Sequence, residues 1–144
     1  MADLATEPAV RVAPFGDRVA EAVDRKRSQL LVGLDPRVDL LPVELRGGAA
    51  ETGEPAAEAV ERFCCAIVDA VAPYVVGVKV QSAFFEALGA AGVRVYEDVC
   101  AYARRAGLLV VADAKRGDIA STARAYATAF LEPRESGEIG RAHV

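Results

Sequence analysis

Four charged side chains stand where this chain is otherwise apolar. Lys79 lies inside Tyr74–Val80 (YVVGVKV), Asp35 closes the run Gln29–Leu34, and Asp113 and Lys115 follow Leu108–Ala112 (LLVVA) at once. Charge in such places is costly unless it is paired, so these groups need one another. An ammonium flanked by carboxylates is a fixed positive charge and a proton donor. It suits a reaction in which negative charge develops on carbon and must then be quenched. The basic residues point the same way: there are 14 Arg but only three Lys, at 26, 79 and 115. Arg stays charged at any working pH, whereas Lys can give up a proton. For any single acid–base pair, ordinary ion pairing at a strand end explains the spacing as well; for the whole set it explains less.

Other chemistries are disfavoured by what is missing. The single His is His143, one residue from the end, so neither an imidazole triad nor a His-rich metal cluster is expected in the core. Three cysteines cannot all pair, and Cys64 and Cys65 are adjacent, which points to a reducing compartment and so to the cytoplasm. Arg116-Gly117-Asp118 also spells an adhesion tripeptide, but it follows a buried strand in a chain with no export signal.

Periodicity supplies the elements that must hold these groups. Phe15–Ser28 is helical, with Val19, Ala22, Val23 and Lys26 at spacings of three and four. Gln29–Leu34 is a buried strand, and 37–53 a long connection with at most a turn of helix near Pro42–Leu45. Glu54 and Pro55 open a helix with Val60, Phe63, Cys64, Ile67, Val68 and Val71 on one stripe, stopped by Pro73. Tyr74–Val80 is expected to be a parallel strand covered on both faces. Gln81–Leu88 and Val93–Ala106 are predicted helices ending at Gly89 and Gly107, Leu108–Ala112 a third strand, and Ile119–Leu131 a last helix. Such βα alternation predicts a parallel sheet, doubly wound or closed as a (β/α)8 barrel, with the active site at the carboxyl ends of the strands. Neither G-x-G-x-x-G nor a P-loop follows any strand, which disfavours the dinucleotide-binding and P-loop readings.

The 144 residues are 53% hydrophobic and 26% charged, with net charge −4, the composition of one globular unit. The acidic balance argues against nucleic acid as a partner. No apolar stretch approaches the roughly 18–20 residues of a membrane span, and Met1–Val12 lacks the pattern of a secretory leader. Residues 1–14 are expected to be a loose leader.

Val111–Ile119 (VADAKRGDI) closely resembles the Asp-x-Lys-x-x-Asp signature of the orotidine 5′-phosphate decarboxylase family. LLVGLD at 30–35 and VKVQSAFFEALGAAG at 78–92 are similar to that family's first two strand ends, in its longer bacterial branch. The resemblance runs from about residue 15 to 131 and implies a (β/α)8 TIM barrel truncated to about its first three βα units. It implies decarboxylation of orotidine 5′-phosphate to UMP with no cofactor and no metal. Lys115 would protonate C6 as carbon dioxide leaves, and Asp113 would lie beside the departing carboxylate and orient Lys115. Asp35 and Lys79 would hold the ribose hydroxyls. Asp118, with Thr122 one turn on, would reach into the neighbouring site of a homodimer. The competing readings are a magnesium-dependent sugar-phosphate decarboxylase of the same suprafamily and a non-catalytic barrel fragment. A complete barrel needs about 250 residues; the family's late pyrimidine- and phosphate-binding segments find no match here, so the 144 residues alone are expected to be inactive. Residues 132–144 leave the family pattern. Glu138–Val144 (EIGRAHV) is the translation of gagatcggaagagcacacgtc, a common sequencing-adapter string, which would make His143 an artefact.

Overall fold

The computed structural model describes residues 13–46, 53–117 and 119–130, without the side chain of Phe130. Most of the expected leader and the whole 132–144 tail lie outside the described residues.

Helix α1 (Phe15–Lys26) starts behind Pro14, with Asp17 in its first turn and Arg25 and Lys26 in its last, charges that complement the helix dipole. Arg27 ends it in a left-handed conformation (φ 53°). Strand β1 (Leu31–Leu34) leads to Asp35 and Pro36. The expected single helical turn proves to be two short pieces, a 3-10 turn (Val38–Leu40) and α2 (Val43–Arg46). The long α3 (Gly53–Val71) buries Val60, Cys64 and Val68, with Phe63, Ile67 and Val71 packed beside them. The Lys26 ammonium donates a 2.6 Å hydrogen bond to the Ala72 carbonyl just past the end of α3, satisfying one of the orphan acceptors there.

Strand β2 (Gly77–Gln81) starts later than its β-branched run suggests, because Ala72–Tyr74 form a turn centred on Pro73. Val76 already joins the sheet through backbone hydrogen bonds to Leu30 and Leu109, each 3.0 Å. Helix α4 is short (Ser82–Glu86), and α5 (Gly89–Arg105) begins four residues before its expected start. The cause is close packing: Gly92 lies so near the Phe85 carbonyl that a β-carbon there would sit 1.9 Å from its oxygen. The bare backbone lets α5 run through GAAG against α4. Gly107, at φ +77°, ends α5 as expected and feeds β3 (Leu109–Asp113). Finally comes α6 (Ala120–Phe130). Its expected apolar stripe is not buried among the described residues, and Ile119 is exposed.

Among the described residues the sheet has three strands, all parallel, in the order β1-β2-β3. Leu34, Val78 and Val80 point toward α3 and α5 and form the core with Val60, Cys64, Val68, Val99 and Ala103. The opposite face of β2 carries Gly77, Lys79 and Gln81 by strand alternation. The expectation of a strand covered on both faces therefore holds for one face only: Val78 and Val80 are fully buried, but Lys79 remains partly open.

Candidate active site

Parallel register brings the charged groups together. Lys79 pairs with Gly33 on one side and Val111 on the other, and the last rung of β2 and β3 sets Gln81 opposite Asp113. Asp113 is expected just after the strand and is instead its last residue. With 6% of its surface exposed it is the buried pivot of the cluster.

Three donors converge on its carboxylate. The Lys115 ammonium donates to Oδ1 at 2.6 Å, the Gln81 amide to Oδ2 at 3.0 Å, and Lys79 reaches Oδ2 at 3.5 Å. The hydrogen bond from Lys115 holds the Asp113 carboxyl below the usual carboxylate range; burial opposes this, and the charges of Lys115 and Lys79 reinforce it. Lys115 does not owe its place to strand alternation, since β3 ends at Asp113. Ala114 is fully buried, its amide donating to the Ala112 carbonyl at 3.1 Å, and the chain turns there so that Lys115 comes back over Asp113. The Lys115 side chain is 56% exposed against 33% for Lys79. One ammonium thus faces the open mouth of the sheet and the other is held within it.

Asp35 follows β1 at the neighbouring strand end and is exposed. Its Oδ2 lies 2.7 Å from where a β-carbon on Gly33 would be, so the carboxylate folds back over the glycine that pairs with Lys79. Thr122 is exposed on α6, and Asp118 lies outside the described residues. The structure therefore gathers Lys79, Asp113 and Lys115 into one contact network, sets Asp35 at the next strand end, and leaves Thr122 on the following helix.

Two contacts go beyond the residues singled out from sequence. Gln81 is one; its signal was its spacing, two residues after Lys79 on the same face of a strand. The other is the ion pair of Arg116 with Glu86, which ties the signature loop to α4 while Arg116 also donates to the Lys115 carbonyl at 2.8 Å. The two segments VADAKRGDI and SAFFE thus meet physically. Of the three lysines, Lys26 is the structural one.

Among the described residues no helix is long and apolar enough to cross a membrane, and no three His, Cys, Asp or Glu are grouped to hold a metal ion. A family model described as orotidine 5′-phosphate decarboxylase / HUMPS family matches residues 28–137. An orotidine 5′-phosphate decarboxylase of Rhodopirellula baltica is 47% identical over 122 residues, 84% of this chain and 40% of the relative. One of Streptomyces coelicolor is 48% identical over 119 residues, 82% of this chain and 40% of the relative. A crystal structure from Streptomyces avermitilis, described as an orotidine 5′-phosphate decarboxylase, superposes with a TM-score of 0.71 at 44% identity, covering 88% of this chain and 41% of that one. The chain thus spans about two-fifths of the length of these relatives. Its three parallel βα units match part of a TIM barrel.

Proposed function

Since this chain belongs to the orotidine 5′-phosphate decarboxylase / HUMPS family, we propose that it forms the part of an enzyme that carries the reacting groups for decarboxylation of orotidine 5′-phosphate to UMP in pyrimidine synthesis. The observation that carries this reading is Asp113, buried at a strand end with Lys115 at 2.6 Å and Lys79 at 3.5 Å.

In the proposed step the bond from C6 to the carboxyl carbon breaks, carbon dioxide leaves, and the electron pair stays on C6. The Lys115 ammonium stabilises that charge and then gives C6 its proton. Asp113 lies beside the departing carboxylate and keeps Lys115 aimed. Asp35 and Lys79 take the ribose hydroxyls. Asp118 and Thr122 act across a homodimer interface, so that each site is finished by its partner. The enzyme works in the cytoplasm, with no metal or cofactor. The 144 residues alone are inactive, since much of the substrate's remote binding energy is gathered at its phosphate.

The test is decarboxylation by the complete reading frame that carries these residues, followed as loss of orotidine 5′-phosphate absorbance. Activity that survives a chelator and falls about a hundredfold or more in Lys115→Ala, with unchanged circular dichroism, is expected. Dependence on added magnesium with a sugar phosphate as substrate would instead favour the alternative branch. Full activity of Lys115→Ala would refute the assigned proton donor.

A further inference from the structure

A carboxylate between two ammonium groups has a rotational problem. Asp113 can turn about its Cβ–Cγ bond, and each oxygen is an equally good acceptor. The structure leaves it with a defined division of labour: Oδ1 belongs to Lys115, and Oδ2 receives Gln81 at 3.0 Å and Lys79 at 3.5 Å. The Lys79 contact is long for a directed hydrogen bond, whereas the Gln81 contact has ordinary N–H···O length. Gln81 is also fixed in place by the backbone, as the register partner of Asp113 on the last rung of β2 and β3.

We propose that Gln81 is a positioning residue, whose side-chain amide locks the rotation of the Asp113 carboxylate and thereby keeps one oxygen for Lys115. The proposal rests on the decarboxylase reading for its kinetic consequences only; the lock itself is a property of the folded sheet. An amide serves here where a charged residue would not. A third cation would crowd Lys79 and Lys115, and a carboxylate would face Asp113 directly. Because Asp113 can only accept, the amide presents Nε2 to it. The charged groups around position 81 are Asp113 and Lys115 from β3 and its loop, Lys79 from β2 itself, and Asp35 one step past the Leu34–Val80 pair on β1. Glu86 of α4 is engaged by Arg116.

The experiment compares Gln81→Leu and Gln81→Glu with the parent in the complete reading frame. In Gln81→Leu, kcat is expected to fall about tenfold or more while KM stays within about twofold, with the melting temperature retained. Gln81→Glu keeps the shape, and its carboxyl donates only when protonated. Its activity relative to the parent should therefore rise as pH falls, a dependence that Gln81→Leu cannot show. A loss confined to KM, or the same relative loss at all pH values in both variants, overturns the proposal. The second readout needs no turnover: ¹³C titration of the Asp113 carboxyl should show its midpoint raised in Gln81→Leu, and an unchanged midpoint overturns the lock. If the parent does not decarboxylate orotidine 5′-phosphate, the function reading fails and this titration still decides the role of Gln81.

Discussion

Substituting Gly92 by Ala sets two effects of known sign against each other. On helix propensity alone the change should stabilise α5 by about 1 kcal/mol, since glycine is a poor helix former. Packing says the reverse. The added β-carbon would meet the Phe85 carbonyl oxygen at 1.9 Å and the Leu88 β-carbon at 2.7 Å. The first contact is about 1.5 Å inside ordinary van der Waals distance, and its partner is backbone, which cannot swing away. Relief requires α4 and α5 to part, disturbing Phe85, which is fully buried and edge-on to the Tyr96 ring at 5.5 Å. Overpacking of this kind costs about 1–3 kcal/mol, and a hard backbone contact belongs at or above the top of that range. The net expectation is a loss of about 2 kcal/mol, which at about 2–4 °C per kcal/mol for a chain of this size lowers the melting temperature by about 6 °C. Thermal denaturation followed by circular dichroism measures it. A melting temperature equal to or above that of the parent would refute the reasoning, because propensity would then have outweighed the close approach of the two helices.

Two further outcomes concern titration. Asp113 has a folded-state pKa below its ordinary value of 3.8, so its stabilising contribution is present above that value and is lost as pH falls through the depressed one. The parent should thus exceed Asp113→Asn in denaturant stability at pH 7 by a margin that narrows in acid; a margin independent of pH would contradict the pairing with Lys115 and Lys79. Burial pushes the Cys64 thiol from 9.0 up to about 12, so unfolding frees a thiolate over that window and stability drains as pH rises from about 9 toward 12. Cys64→Ala should lose less stability than the parent across that interval. Native alkylation read by mass spectrometry should mark the half-buried Cys65 well before buried Cys64 and Cys100, and equal labelling rates would speak against the packing of α3 on α5.

The βα alternation was legible because apolar runs and helical stripes have different periods, and Val60, Cys64 and Val68 fall on the buried face of α3 as their spacing requires. Boundaries were less so. Tyr74 and Val75 have strand-like chemistry, but the turn at Ala72–Tyr74 around Pro73 keeps them out of the strand; Gly89–Gly92 has weak helix propensity, but contact with α4 makes it helical. The convergence of Lys79 and Asp113 could be anticipated, since both break apolar runs at strand ends. Gln81 is less legible: its spacing from Lys79 becomes a signal only once β2 is known to run past Val80, and an uncharged residue carries no cost that needs explaining. Arg116 and Glu86 are 30 residues apart, and only the fold reveals that they meet.

The β2–β3 register has a consequence for folding. Side chains alternate between the two faces of a strand, so a slip of one residue would turn Asp113 from its donors toward the apolar side occupied by Val78 and Val80. A carboxylate stranded there would have to be neutralised or expelled. The misaligned sheet is thus penalised by the same residue that the correct one needs, and the charged cluster acts as a proofreading device for strand alignment. The Lys115 contact is local, but the donors at 79 and 81 come from the far side of the β2–β3 crossover, so only the paired strands assemble the whole cluster.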